Sequence, residues 1–389
     1  MKAKSIKGSS VEEIKIALEH SLVNACPDDV VGRSFQPTLA FVFLTRLEDI
    51  DIITAMIDAK GISIFGASTS DKFTEEGMEP EGIVVLLLDI NEVNFKIILK
   101  DFNAAPASVY ETACEVGRSG KDAFDHPAFI ISAANFKISG EELIKGLLDK
   151  AGAHVKVIGG MAGEAVKFTG CVFTNRAKTS NGLIALVLDE NKIDVKGKAV
   201  SGWKPAGTEK KITKSEGAWI YTIDNEPAMD VIKKFLGKDI ETIDKSKGLV
   251  SLNINYPLQV QRESGNPMML PTLLWNTEDQ SVMLGGVVKE GAKFRFSLPP
   301  DFEVIDTVIE SSREIRDKEL PEADAMLIFS CIGRQSSLGP LLLSELEGLA
   351  DTWNKPMAGF LSLGEFGKLD DSRPELHGTT VSWVALKEK

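Results

Sequence analysis

The feature that most constrains this chain is a unit that recurs three times. Leu39 to Phe43 is an apolar run of strand length, and Glu48 to Lys60 has helical spacing through Ile52, Ile53, Met56 and Ile57. A stop at Gly61 leads into a second run, Ile62 to Gly66, and a third, Gly82 to Asp89. The same order returns with Phe129 to Ile131, a helix from about Gly140 to Lys150, Val155 to Gly159, and Gly182 to Asp189. That last segment matches Gly82 to Asp89 almost residue class for residue class. It returns again with Ala325 to Ser330, a helix over Leu338 to Trp353, Pro356 to Phe360, and Thr379 to Leu386. Short apolar runs alternating with amphipathic helices predict an α/β fold, in which the copied units pack mixed sheets against helices as layered αββα sandwiches.

In each copy a glycine closes the middle strand: Gly66, Gly159 and Gly359. Small or polar residues follow it, as in Ala67-Ser68-Thr69-Ser70. Glycine there permits close backbone approach, and its neighbours leave amides and hydroxyls for a ligand or for a plain turn. Between the second and third copies the texture changes. Trp203 to Lys211 reads as a surface crossing, Ala218 to Tyr221 as a strand, Glu226 to Leu236 as a helix, and Met268 to Leu274 and Val282 to Phe296 as antiparallel strands. These features predict two parts, 1–200 with an internal duplication and 201–389.

Net charge narrows the function. Fifty-seven acidic residues against 44 basic ones give −13, a field that repels phosphate backbones and anionic membranes, so neither nucleic acid nor a membrane surface is an expected partner. The lysines of the N-terminus precede no apolar signal segment, and no apolar run reaches the ~18 residues of a membrane span, so the expected location is the cytoplasm. Cys26, Cys114, Cys171 and Cys331 are too scattered for a disulfide framework or a zinc site, and the four histidines are equally dispersed. Gly66 to Lys72 lacks the second glycine of a phosphate-binding loop, and Gly159 to Gly163 misses dinucleotide spacing. No cofactor or metal is expected.

The loops of the third copy carry a specific series. It runs Phe329-Ser330-Cys331-Ile332-Gly333-Arg334, a helix holding Glu345, Gly359-Phe360, Gly364-Glu365-Phe366-Gly367, and His377 before the last strand. This series resembles the C-terminal part of a FIST domain. Gly66-Ala67-Ser68-Thr69-Ser70 and Gly159-Gly160-Met161-Ala162-Gly163 resemble turns of the FIST N-terminal part, so that the likeness covers about residues 35 to 388. The resemblance implies a sensory input module that binds small ligands such as amino acids. With no output domain in the sequence, a signal is expected to pass through a partner protein or an oligomer.

The residues themselves point to the same loops. Arg334, four residues beyond a strand, suits a bidentate clamp on an anionic ligand group, or an ion pair with Glu345 or Glu365. Leu338, Leu342, Glu345 and Leu349 fall on one helical stripe, so the Glu345 carboxylate faces apolar neighbours and needs a partner. Ser362, Glu365 and His377 are the other polar groups of these loops, and Ser68 and Thr69 are their counterparts in the first copy. The expected ligand-binding set is thus Cys331, Arg334, Glu345, Ser362, Glu365, His377, Ser68 and Thr69. An alternative is acyl transfer or amide hydrolysis, with Cys331 as nucleophile, His377 as base and Glu365 as orienter. A third is a protein-interaction scaffold.

Overall fold

The structure is a computed structural model that describes residues 1–23, 35–102, 107–164, 169–236, 249–251, 257–262, 265–298, 300–369 and 373–389. Its first unit runs β1 (Lys2–Gly8), α1 (Val11–Val23), β2 (Leu39–Leu44), α2 (Ile50–Asp58), β3 (Ser63–Ser68), β4 (Lys72–Thr74), β5 (Gly77–Glu79) and β6 (Ile83–Asp89). The second repeats it element for element. It comprises β7 (Phe95–Asp101), α3 (Ala107–Ala123), β8 (Pro127–Ala133), α4 (Gly140–Ala151), β9 (Val157–Met161), β10 (Val172–Phe173), β11 (Lys178–Thr179) and β12 (Gly182–Asp189).

The third unit opens with β13 (Ile193–Val200) and is then interrupted by an inserted module. The module holds β14 (Pro205–Glu216), β15 (Trp219–Ile223), β16 (Glu226–Pro227), α5 (Ala228–Leu236), β17 (Leu249–Ser251) and β18 (Leu258–Val260). It continues with β19 (Met268–Leu270), β20 (Thr272–Asn276), β21 (Val282–Leu284) and β22 (Lys293–Ser297). The third unit then resumes with α6 (Phe302–Lys318), β23 (Ala325–Cys331), α7 (Ile332–Leu338), α8 (Leu341–Trp353) and β24 (Met357–Ser362). It closes with β25 (Glu365–Gly367), β26 (Glu375–His377) and β27 (Val381–Glu388). The recurrent unit is therefore larger than the strand-helix-strand-strand pattern legible in the sequence, because it has a leading strand and helix as well as a hairpin before the last strand.

Each unit organises one six-stranded sheet, but no sheet is built from one unit alone. The orders are β1-β6-β2-β3-β10-β11, β7-β12-β8-β9-β25-β26 and β13-β27-β23-β24-β4-β5. In each, the two central strands run parallel, Leu39 to Leu44 beside Ser63 to Ser68 and their counterparts. Parallel neighbours need a crossover, which α2, α4 and the α7–α8 pair supply. The remaining pairings are antiparallel. Each unit's hairpin leaves its own sheet: β4–β5 edges β24, β10–β11 edges β3, and β25–β26 edges β9. First unit to third, third to second and second to first, the exchange closes a ring.

This exchange accounts for two of the three glycines. Phe73, Phe173 and Phe366 pair across the strand edge with Gly359, Gly66 and Gly159. A β-carbon at Gly66 would come within 2.1 Å of the Phe173 ring, and one at Gly359 within 2.4 Å of Phe73. Gly66 and Gly359 thus make room for the incoming aromatic ring of another unit, whereas a β-carbon at Gly159 would meet the Ile131 backbone of the adjacent strand, 1.9 Å from its carbonyl oxygen.

Apolar residues of all three sheets meet in one shared core that includes Phe41, Phe65, Ile130, Leu186, Phe329, Phe360 and Val384. The opposite face of each sheet is covered by its own helices, which bury Ile14 and Ile53 in the first unit, Val116 and Leu147 in the second, and Val308 and Leu349 in the third. Strands covered on both faces read as unbroken apolar runs, which is why they were legible. The expected αββα layering becomes a three-sheet version of itself, with helices outside and three sheets inside. The chain ends meet: the Met1 ammonium lies 2.6 Å from the Glu388 carboxylate and 3.4 Å from that of Asp324.

The module has its own largely antiparallel sheet, β17-β20-β21-β15-β14-β22-β18-β19, with β16 beside β15. Its core holds Ile220, Met229, Ile232, Val282 and Phe294. Two sequence expectations are corrected here. Trp203 to Lys211, read as a surface crossing, is from Pro205 onward part of a long strand that runs to Glu216, and Glu226-Pro227, read as the start of a helix, pairs with β15 before α5 begins at Ala228. Cys26 lies outside the described residues.

Candidate functional site

Cys331 ends β23, and α7 starts at Ile332, which turns Arg334 inward within the first turn. The Leu338–Leu342–Glu345–Leu349 stripe of α7 and α8 faces the sheet, and it brings Glu345 to the guanidinium at zero exposure. Arg334 Nε donates to Glu345 Oε1 at 3.0 Å, and Nη2 donates to Oε2. Nη1 donates to the carbonyls of Ser201, at 2.7 Å, and of Thr379, at 3.3 Å. The indole of Trp203 stacks on the same guanidinium, 5.0 Å from its ring centre. Arg334 is thus committed to the chain: a buried charge pair needs this many hydrogen bonds to offset the loss of water.

Glu365 sits on the exchanged hairpin, beside Gly160 of the second unit. Its Oε1 accepts from Ser362 Oγ at 2.5 Å, and its Oε2 accepts from the Thr380 amide at 3.3 Å. Burial disfavours the carboxylate form and pushes its pKa up to about 8 despite these donors and the Arg334 charge. Burial, aided by Glu365, also raises the Cys331 thiol far above its ordinary value. The same desolvation pushes His377 down to about 3, with the Arg262 charge adding to it and a hydrogen bond to Gly367 opposing it. At neutral pH the cluster thus holds a thiol, a neutral imidazole and a largely protonated carboxyl. A nucleophile needs its thiolate stabilised, whereas here the environment stabilises the thiol. The Cys331 thiol lies within hydrogen-bonding reach of Glu365, while the His377 ring contacts the Gly367 carbonyl at 3.2 Å.

Ser68 and Thr69 lie in the first unit at the junction of the three middle strands, apart from the Arg334 shell. Ser68 Oγ accepts from the Cys171 amide at 2.8 Å, and Thr69 Oγ1 donates to the Leu361 carbonyl at 2.9 Å. Their hydroxyls tie the second and third units to the first.

Sequence reasoning missed the other half of the Arg334 shell. Ser201 and Trp203 come from the strand leaving β13, Thr379 adopts φ +53° before β27, and Met269 of the module lays its carbonyl against Gly378. Among the described residues, Ser201 Oγ, Trp203 Nε1, His377 Nδ1 and Thr379 Oγ1 are buried without a hydrogen-bond partner. Because His377 Nε2 faces a carbonyl and donates, Nδ1 is an acceptor. One hydroxyl and one indole come from Ser201 and Trp203, and a second hydroxyl and an imidazole come from Thr379 and His377 on one short segment. The only signal available earlier was a tryptophan beside a glycine at the edge of a repeat. A surface hollow of about 330 Å³ in the module, lined by Lys211, Thr213, Asn225, Glu290 and Gly291, includes none of these groups. Among the described residues, no group of three or more His, Cys, Asp or Glu side chains is placed to hold a metal ion, and no helix is long and apolar enough to cross a membrane.

A repeat-built α/β body of three six-stranded sheets, with a buried polar cluster under an inserted module, defines the class of protein as a mixed α/β multi-sheet domain. Family models make the assignment specific. The FIST N domain matches residues 38–226 and the FIST C domain residues 228–368, so the chain belongs to the FIST family, whose domains are sensory and signal-transduction modules. No curated protein matches the chain.

Proposed function

We propose that the protein is a sensory module that binds a small, net-uncharged polar metabolite, such as a zwitterionic amino acid, at the seam between its third unit and the inserted module. One observation carries this reading: Ser201, Trp203 and Thr379, which contact the Arg334 guanidinium, and His377, two residues before Thr379, each carry a buried polar side-chain atom without a partner. An unsatisfied buried donor or acceptor costs about 1–3 kcal/mol, so a molecule that meets several of them at once recovers that cost as affinity. The charge balance supports a ligand without net charge, since Arg334 is matched by Glu345, His377 is neutral and Glu365 is held largely as the acid. In this reading Arg334 orients the Ser201 and Thr379 carbonyls, and the carboxylate clamp suggested by the sequence alone gives way to hydrogen bonds from Trp203 Nε1 and Thr379 Oγ1. Glu365, Ser362 and Cys331 form the floor beneath. The signal then leaves through a partner protein or an oligomer.

The test is native mass spectrometry of the full chain purified from its source, with Trp203→Phe and Thr379→Val alongside. A retained small molecule, reduced in both variants, supports the site. An empty wild-type chain that also shows no thermal shift with a panel of neutral polar metabolites rejects it.

A further inference from the structure

The seam residues are closed to solvent: Arg334 is 0%, His377 1%, Thr379 1% and Trp203 7% exposed. A ligand bound there must therefore enter through a moving part, and the fold offers one that is attached by two strands only. The module leaves the body through Ser201 to Lys204 and returns through Ser297 and Leu298. The Leu298 amide donates to the Lys204 carbonyl at 2.8 Å, which pairs the two crossings, and Gly202 within the first has φ +80°. Opposite this pair, Arg262 of the module reaches the body. Its Nη1 donates to Glu375 Oε2 at 2.6 Å, its Nη2 to the Leu376 carbonyl, and its Nε to Glu141 Oε1 on α4 at 3.3 Å. The Arg262 and Glu375 side chains are 8% and 6% exposed. Leu376 and Glu375 immediately precede His377, so this clamp grips the segment that carries the seam residues. Between crossing and clamp, Met269 packs with Trp203 and Val308 in the third unit's outer core.

Resting on the ligand reading above, we infer that the inserted module is a lid over the seam, hinged at the paired crossings and latched by Arg262 on Glu375 and the Leu376 carbonyl. Opening lifts Met269 from Gly378 and Trp203 from Arg334. Occupancy of the seam thereby sets the position of the module relative to the three-unit body.

Cys331 reports on this without a ligand, because it lies against Glu365 and Thr379 beneath the seam, whereas Cys114 and Cys171 are buried elsewhere, on α3 and beside β10. The experiment is iodoacetamide labelling of the full native chain, read residue by residue by peptide mass spectrometry, in wild type, Arg262→Met and Glu375→Gln. Breaking a buried charge pair favours the open form, so Cys331 is expected to label roughly tenfold faster or more in both variants, with Cys114 and Cys171 unchanged. An unchanged Cys331 in both variants overturns the lid, and so does a parallel rise of all three cysteines, which assigns the exposure to general loosening. A latched Cys331 in a chain that retains a small molecule regardless of either substitution removes the lid and leaves the site. Tenfold release of Cys331 in a chain that never retains one removes the site and leaves the lid.

Discussion

Replacing Arg334 with Met keeps the length of the stem and removes the guanidinium. Glu345 then stands at zero exposure without its partner. Loss of one member of a buried pair costs about 3–5 kcal/mol. Glu345→Leu, which strands the arginine instead, should cost a similar amount. The double variant carries neither charge. It leaves the Ser201 and Thr379 carbonyls without their donor, at about 1–3 kcal/mol each, and loses the Trp203 stack, while new apolar contact on the α8 stripe offsets part of that cost. It should therefore be about 2 kcal/mol less stable than wild type and more stable than either single variant. The singles sum to about 6–10 kcal/mol, so the interaction energy in the cycle is at least about 4 kcal/mol. Urea midpoints followed by near-UV circular dichroism give this order without assuming a two-state transition. A double variant no more stable than the worse single one would refute the argument, because the cost would then lie in packing and not in an uncompensated charge.

Gly66→Ala should lower the melting temperature through about 1–3 kcal/mol of overpacking against Phe173, and Phe173→Leu in the same chain should restore part of it; an unaffected melt would contradict the hairpin-exchange account. Glu365, with its folded pKa raised to about 8, holds a proton that the unfolded chain releases, so its contribution is present at low pH and fades as pH rises to about 8. His377, pushed to about 3, acts in the opposite sense below about 6.5, which leaves pH 6.5 to 8 as the window in which stability falls with pH. Urea midpoints across that window should decline in wild type and stay level in Glu365→Gln, and equal slopes would remove the assignment. Wild-type Cys331 should remain unmodified by iodoacetamide at pH 7.5 under conditions that label an exposed cysteine, since burial and Glu365 both favour the thiol; prompt labelling would revive the nucleophile reading.

Much of the fold was legible because it is local. Leu39 to Phe43 and Gly182 to Asp189 are buried on both faces, and such strands announce themselves as apolar runs. The stripe that placed Glu345 among leucines follows helical geometry for Leu342, Glu345 and Leu349 of α8, all buried, but the single helix expected over Leu338 to Trp353 is broken at Gly339 and Pro340, so Leu338 ends α7 and owes its burial to tertiary packing. The leading strand and helix of each unit were harder to see. Val11 to Val23 and Phe302 to Lys318 carry many charges, and in the third unit the inserted module separates β13 from its helix.

By itself, then, the sequence determined the three units, the order of their core strands and crossover helices, and the need of Glu345 for a partner. Only the tertiary structure decided which units share sheets, because strand pairing across units is set by edges that no local pattern records. It put a phenylalanine of one unit over a glycine of another, and so gave Gly66 and Gly359 a packing role. It also assigned Arg334 to Glu345 and not to Glu365, and brought Trp203, Ser201 and Thr379 around it from segments far apart in the chain. A buried polar cluster of this kind arises from convergence in space, and spacing along the chain carries no trace of it.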